Sequence, residues 1–320
     1  MTSGGAKAIV IPDDHPAVMG PSPAFADFSS RHTVIRFDTL PGGEAGLLER
    51  ISDAEVVVNI RSSSKFTQSV LEQCRHLKHL SIWGTGTDNV DLSAASRLGI
   101  TVTNTPNVSA VSIAEHSLSL MLAVARRTVV VDRQTRQGLW PRGKMKQLAG
   151  KTLGVIGLGA IGSRMARLGE GIGMRVVAWT MHPESKQGFE LVSLEELLAQ
   201  SDVVSIHLRL SEATRGFLNR ERLAGMKPGA ILINTARGPI VEEAALLEAL
   251  REGTLAGAGL DVFDTEPLPA GHEFTKLDQV VLSPHNAGVT PEALEAGLSL
   301  ALANVESFLA GHPANCVVPL

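Results

Sequence analysis

The residues best equipped for chemistry fall in three short segments of the last third of the chain. They are Asn234-Thr235-Ala236-Arg237-Gly238, Asp261-Val262-Phe263-Asp264-Thr265-Glu266-Pro267 and Ser283-Pro284-His285-Asn286-Ala287-Gly288. Arg237 carries a planar fork of donors that pairs bidentately with a carboxylate. His285 carries an imidazole that exchanges a proton near neutral pH. A carboxylate beside that imidazole would fix its tautomer and favour its charged form, and Glu266 is the candidate. A cation for an acid substrate and a proton donor for a developing alkoxide are what reduction of a 2-oxo acid needs, once a hydride donor is bound. Other readings stay open from the residues alone. His207 also ends a strand-like run and is the rival proton donor. Asp261 or Asp264 could orient the imidazole instead, Glu266 could be a surface carboxylate, and Arg237 could cap a sheet edge.

The hydride donor has its own signature upstream, Gly157-Leu158-Gly159-Ala160-Ile161-Gly162. This GxGxxG follows a strand-like run and opens a helical pattern, the context in which it reads as a dinucleotide loop. Gly157 permits the tight turn, Gly159 lets backbone approach a pyrophosphate, and Gly162 lets helix and strand pack closely. The next strand-like run ends Trp179-Thr180-Met181-His182-Pro183, with Thr180 where NAD enzymes place an acid for the ribose. No carboxylate there repels a 2′-phosphate, and Thr180, His182 and Lys186 could receive one. Both NAD and NADP therefore remain open.

Parallel β-structure must position these groups. Each of the three segments follows a buried-strand pattern, at 230–233, 256–260 and 279–282, and in an open parallel sheet ligands bind beyond the strands' carboxyl ends. Strand-like and helix-like stretches alternate along the whole chain, which predicts an α/β fold. Strands are expected near 6–11, 33–37, 55–60, 79–83 and 100–103, then near 152–156, 175–179 and 202–207. Helices are expected near 45–51, 69–74, 109–127 and 291–309, with 138–149 irregular. Asn104-Thr105-Pro106-Asn107 interrupts the alternation, since Pro106 disfavours helix at Thr105. That break predicts two lobes with a cleft, and the closing helix is expected to return to the first.

Composition narrows the class. With 320 residues and 44% hydrophobic content the chain can build two cores. No apolar run approaches the roughly 18 residues of a membrane span, and the N-terminus lacks the layout of a secretory signal. A net charge of −4 with interspersed signs gives no footprint for nucleic acid. The two cysteines, Cys74 and Cys316, predict neither a disulfide framework nor a thiolate metal site, and fit a reducing, cytoplasmic setting. No metal is expected. The complete lack of tyrosine excludes every mechanism with a phenol as proton donor.

The motifs taken together resemble those of the D-isomer-specific 2-hydroxyacid dehydrogenases, over nearly the whole chain. The resemblance rests on residues 84–91 (Gly-Thr-Gly-Thr-Asp-Asn-Val-Asp), Asn104-Thr105-Pro106, Ala114-Glu115-His116, Gly157–Gly162, Thr235-Ala236-Arg237-Gly238, Asp261–Pro267 and Ser283–Gly288. It implies that Arg237 binds substrate, that Glu266 partners the histidine, and that His285 is the acid/base. It implies cofactor contacts at Thr85, Ala160, Ile161, Thr180, Thr235, Arg237, Asp261, His285 and Gly288, beside the three loop glycines. It assigns the substrate carboxylate to the backbone of the Gly84–Asn89 loop (Gly84, Thr85 and Gly86 among it), and Arg61-Ser62 resembles the substrate-side pair of phosphoglycerate dehydrogenases. The implied fold is a Rossmann domain at 104–290 and a flavodoxin-like substrate domain made of 1–103 and 291–320, in a homodimer with the 109–127 region and its sequel at the interface.

The chain departs from the family pattern at four points: Thr180 for the usual aspartate, Leu208-Arg209-Leu210 for a Pro-containing segment, Asn286 after the histidine, and no regulatory domain expected beyond residue 320. The resulting expectation is an NAD(P)-dependent D-2-hydroxyacid dehydrogenase or 2-oxo acid reductase. Its rivals are D-3-phosphoglycerate dehydrogenase and, from another class, a non-catalytic dinucleotide-sensing protein like the related corepressors.

Overall fold

A computed structural model describes residues 9–60, 64–183 and 188–318. The chain opens with β1 (Ile9–Ile11), α1 (Pro23–Arg31), β2 (Val34–Arg36), α2 (Glu44–Ile51), β3 (Val56–Ile60), α3 (Gln68–Gln73), β4 (His79–Trp83), α4 (Leu92–Arg97) and β5 (Thr101–Thr103). It continues through α5 (Ala110–Ala125), α6 (Thr128–Arg136), β6 (Thr152–Ile156), α7 (Ala160–Gly171), β7 (Arg175–Trp179), β8 (Glu190–Leu191), α8 (Leu194–Gln200), β9 (Val203–Ile206), α9 (Arg220–Ala224), α10 (Glu243–Arg251 after β10, Ala230–Asn234), β11 (Leu255–Leu260) and β12 (Val280–Leu282). It closes with α11 (Pro291–Leu309) and β13 (Cys316–Val318). Contacts gather Met1–Ser109 with Thr290–Leu320 into one compact unit, and Ala110–Val289 into a second.

The first unit holds a six-stranded sheet in the order β13-β5-β4-β3-β1-β2. All its pairs are parallel except β13 on β5. Strand β3 shows why both faces are covered. Val56, Val58 and Ile60 pack into a core with Trp83, while Val57 points into the core on the opposite face with Val10 and Leu80. A strand buried on both sides reads as a continuous apolar run rather than an alternation. The closing helix α11 supplies Leu298, Ala301, Leu302 and Val305 to the Trp83 side. Gly297 permits that approach, since a Cβ there would lie 2.1 Å from the Trp83 indole nitrogen.

The second unit is a seven-stranded, wholly parallel sheet in the order β12-β11-β10-β9-β6-β7-β8. Its two faces bury separate cores, one with Ile156, Leu232, Leu246 and Phe263, the other with Met121, Val155, Met165 and Ile233. The α/β class and parallel sheets are those the sequence predicts. Among the described residues no helix is long and apolar enough to cross a membrane.

Local differences have physical causes. The helix expected over 109–127 is α5, and a second helix the sequence did not predict, α6, follows it after Arg127 in the left-handed region at φ 50°. Helix α6 begins Thr128-Val129-Val130-Val131, a β-branched run of low helix propensity that conceals it. Helix α1 is hidden by its weak apolar stripe, although Ser22 caps it and Pro23 fills its first position. Strands β8 and β13 span only two and three residues, too few for a period to show.

The first unit buries a histidine whose charge is disfavoured. His79, fully buried at the start of β4, shares a hydrogen bond with Thr103 Oγ1 at 2.9 Å and stacks on Phe308 with ring centroids 4.5 Å apart. Burial pushes its pKa down to about 4. The folded state thus takes up this proton later than the unfolded chain does. The associated stability is complete above about pH 6.5 and is lost as pH falls toward 4, by about 3 kcal/mol. His79→Phe keeps a stacking ring and removes the titration. Denaturant unfolding at pH 7.5 and pH 4.5 should show a smaller acid loss in the variant, and equal losses would remove His79 from the acid response.

Candidate active site

Register brings the three chemistry-bearing segments to one level. Asn234 pairs with Leu260 and Leu260 with Leu282, so β10, β11 and β12 end side by side. Thr235–Arg237, Asp261–Glu266 and Ser283–Gly288 leave the sheet from those three adjoining ends. His285 Nδ1 lies 2.7 Å from Glu266 Oε2, with the two side chains 38% and 35% exposed, so solvent reaches the pair. The other Glu266 oxygen accepts the Phe263 N–H at 3.0 Å. Burial alone would raise the Glu266 carboxyl. The His285 hydrogen bond, the Phe263 N–H and the charges of His285 and Arg237 outweigh it and hold the group below the usual carboxylate value.

Arg237 is half-buried, and its Nη1 donates to the Ala236 carbonyl at 2.8 Å. The turn that presents it is closed by Asn234, whose Nδ2 donates to the Arg237 carbonyl at 2.9 Å and whose Oδ1 accepts the Ala236 N–H at 3.0 Å. Sequence reasoning gives Asn234 no role of its own. Its signal is its place, a short amide directly at a strand end.

Asp261 does not orient the imidazole. Its carboxylate, fully buried, accepts the Asn286 N–H on Oδ1 and the Ala287 N–H on Oδ2, both at 2.9 Å, and its carbonyl accepts the His285 N–H at 2.8 Å. Burial works against its charge, but His116, Ser283 and the two amides prevail and keep it below the ordinary value. His285 itself sits at φ 56°, a left-handed backbone conformation costing a non-glycine residue roughly 1–2 kcal/mol. The Asp261 clamp supplies the compensation. From α5, Ser112 donates to the Ala287 carbonyl at 2.8 Å and His116 Nε2 lies 3.5 Å from Asp261 Oδ1. Asp264 is exposed. Of these three carboxylates, Glu266 is the one hydrogen-bonded to the imidazole ring.

The glycine loop joins β6 to α7, and its geometry fits a dinucleotide. A Cβ on Gly162 would stand 1.8 Å from the Gly157 carbonyl oxygen, and one on Gly157 (φ 95°) would stand 2.6 Å from the His207 carbonyl. Those two glycines serve the protein's own packing. Gly159 has nothing within 4 Å of its added Cβ, so its open side is left for a ligand. It caps α7 without a side-chain hydrogen bond, which leaves first-turn N–H groups of Ala160 and Ile161 and the positive helix end for phosphates.

His207 belongs to this loop's surroundings and not to the arginine–histidine edge. Its Cβ would be 3.3 Å from a Gly162 side chain, its Nε2 shares a 2.9 Å hydrogen bond with Ser205 Oγ, and burial pushes its pKa down to about 3. Held neutral, and with β10 and β11 between its strand β9 and β12, it has neither the charge nor the place of a proton donor to that edge.

The remaining sequence candidates are distributed as follows. Thr235 is buried, its hydroxyl 2.8 Å from Ser117 Oγ of α5. Thr180 is half-buried after β7, accepting the His182 N–H at 3.4 Å, with no carboxylate in the Thr180–His182 stretch. Gly288 is half-buried behind the histidine loop. Gly84, Thr85 and Gly86 lie on the turn after β4 of the first unit. Arg61, Ser62 and Lys186 lie outside the described residues. Among the described residues no group of three His, Cys, Asp or Glu side chains is placed to hold a metal ion.

Comparison with known proteins gives concordant likenesses. Residues 118–287 match the family model described as D-isomer specific 2-hydroxyacid dehydrogenase, NAD binding domain. A glyoxylate reductase of Korarchaeum cryptofilum is 38% identical over 291 residues, 88% of this chain and 87% of that protein. A D-3-phosphoglycerate dehydrogenase of Methanocaldococcus jannaschii is 39% identical over 279 residues, 85% of this chain; the match spans about half (53%) of that longer protein. Among solved structures, an acyclic imino acid reductase in complex with NADPH and D-Arg superposes with a TM-score of 0.90 at 29% identity, covering 97% of this chain and 99% of that one.

Two glycine variants separate ligand space from packing space. Gly159→Val should leave the melting temperature unchanged and weaken NADH and NADPH binding by roughly tenfold or more, read by quenching of tryptophan fluorescence. Gly162→Ala should lower the melting temperature. Unchanged cofactor affinity in G159V would mean that the loop faces no dinucleotide.

Proposed function

The chain belongs to the D-isomer-specific 2-hydroxyacid dehydrogenase family of NAD(P)-dependent oxidoreductases, and we propose that it interconverts a small 2-oxo acid and its D-2-hydroxy acid. The observation that carries this reading is the His285–Glu266 pair at 2.7 Å, on the same sheet edge as Arg237. Bound NAD(P)H supplies the hydride that reduces the substrate's second carbon. Arg237 pairs with the substrate's oxygens through its fork. His285, its Nδ1 held by Glu266, presents Nε2 and gives its proton to the oxygen that becomes the hydroxyl. Glu266, kept ionised, stabilises the positive imidazole before that transfer and receives no proton itself. In the oxidative direction the same nitrogen takes the proton back.

By the family resemblance, the Gly84–Asn89 turn takes the substrate carboxylate, with a substrate domain of 1–103 and 291–320 and a cofactor domain of 104–290. The absence of an acid at Thr180–His182 favours acceptance of both nicotinamide cofactors, and the NADPH-bound imino acid reductase is in keeping with it. A homodimer is supported by the exposed apolar side chains Val111, Leu122, Val129, Leu139 and Trp140, the last 76% exposed. Two free cysteines support a cytoplasmic location. Oxidation of 3-phosphoglycerate is the second reading, favoured by the similarity to the Methanocaldococcus enzyme.

Absorbance at the reduced-nicotinamide band should fall when glyoxylate or hydroxypyruvate is added with NADH or NADPH, and 3-phosphoglycerate with the oxidised cofactors tests the second reading. His285→Gln should lower turnover by roughly 10²–10⁴-fold with cofactor affinity nearly unchanged. Near-normal turnover in H285Q would take His285 out of the mechanism.

A further inference from the structure

The first unit buries a carboxylate for which the proposed reaction has no use. Asp13 follows β1 and is fully buried, and burial pushes its pKa up to about 6 against the pull of Ser64, Ile60 and Asn59. Burying an ionisable group is unfavourable unless its partners offset the cost. Here they are three donors. Asp13 Oδ1 accepts the Ile60 N–H at 3.0 Å, and Oδ2 accepts Asn59 Nδ2 at 2.5 Å and the Ser64 hydroxyl at 2.6 Å.

The consequence is directional. An ionised carboxylate only accepts hydrogen bonds, so the Asn59 amide must turn its nitrogen toward Asp13 and its oxygen away. That oxygen accepts Asn89 Nδ2 at 2.9 Å, and the same Asn89 nitrogen donates to the Ser64 carbonyl at 2.9 Å. Asn59 and Asn89 are both buried. The relay therefore crosses the carboxyl ends of β1, β3 and β4, three neighbours in the sheet, and ends on the last residue of the Gly84–Asn89 turn. The turn's first residues are fixed separately. Gly84 N–H donates to Thr105 Oγ1 at 2.9 Å, and Asn104 Nδ2 donates to the Thr85 carbonyl at 2.8 Å.

We propose that Asp13 is a positioning residue which, through Asn59 and Asn89, sets the far end of the Gly84–Asn89 turn and so the grip on the substrate's carboxylate. This inference rests on the assignment of that turn to the 2-oxo acid. The neighbouring Asp14, also fully buried, acts locally. It accepts hydrogen bonds from the Val18 and Met19 N–H groups and from Arg36 Nη1. None of those partners belongs to the turn, so Asp14 is not part of the relay.

The test uses the full chain as wild type, Asp13→Asn, Asn89→Ala and the double variant. A neutral amide at 13 lets Asn59 reverse, so D13N should raise the KM for hydroxypyruvate about tenfold, the value of one hydrogen bond. Its kcat should stay within about twofold and its affinity for NAD(P)H should be unchanged. The double variant should be no worse than N89A, since both cut one relay. Hydrogen–deuterium exchange should accelerate in peptides covering 84–91 and not in those covering 157–162. Additive losses in the double variant, or unchanged exchange at 84–91, would overturn the proposal. If D13N does not fold, Ser64→Ala carries the same exchange test. If the wild type reduces no 2-oxo acid, the proposed function fails by itself, and the exchange measurement still decides whether Asp13 holds the turn.

Discussion

The candidate active site depends on the two hydrogen bonds that Asp261 accepts from the amides of Asn286 and Ala287. They tie the end of β11 to the loop that leaves β12, and they hold His285 in a left-handed conformation it would not choose alone. With the backbone so fixed, the imidazole meets Glu266 by geometry and not by chance. A buried anion could not persist there unpaired, and the loop amides are its partners. Anion and loop therefore stabilise each other, which makes the histidine's position a property of the sheet.

The glycine loop follows the opposite logic. Behind His285, hydrogen bonds fix the backbone, and both carboxylate oxygens of Asp261 are engaged. Around Gly159, space is left open while its neighbours Gly157 and Gly162 are packed to the limit against carbonyl oxygens. Three glycines of one motif thus do different work, two by closeness to protein and one by the absence of it.

Much of this was legible in the sequence, for reasons that also explain what was not. Strand His79–Trp83 and helix Pro291–Leu309 match the sequence reading to the residue, because apolar Leu80 and Ile82 alternating with polar His79 and Ser81, and a capped, proline-started helix, are local signals. Arg237, Glu266 and His285 stood out because each follows a strand. The same rule also raises His207, and three-dimensional placement separates the two histidines: His285 meets Glu266, while His207 lies beside Gly162 at the end of β9, with two strands between β9 and β12. Helix α6 was masked by its valines. The Asp13–Asn59–Asn89 relay was invisible in principle, since it joins residues 46 and 30 positions apart with no period to reveal them.

The way α11 completes the first unit also bears on how the molecule comes into being. Trp83, Val56, Val58 and Ile60 need Leu298, Ala301 and Val305 to leave water, yet some two hundred residues separate the two groups. On the ribosome, where chains emerge from the amino end, the opening hundred residues must wait with one sheet face covered only in part, by Met19 and Phe28. The continuous 110–289 stretch has all its own strands before α11 is made. The part of the chain born first is thus the part finished last, its core closed only when the final helix arrives.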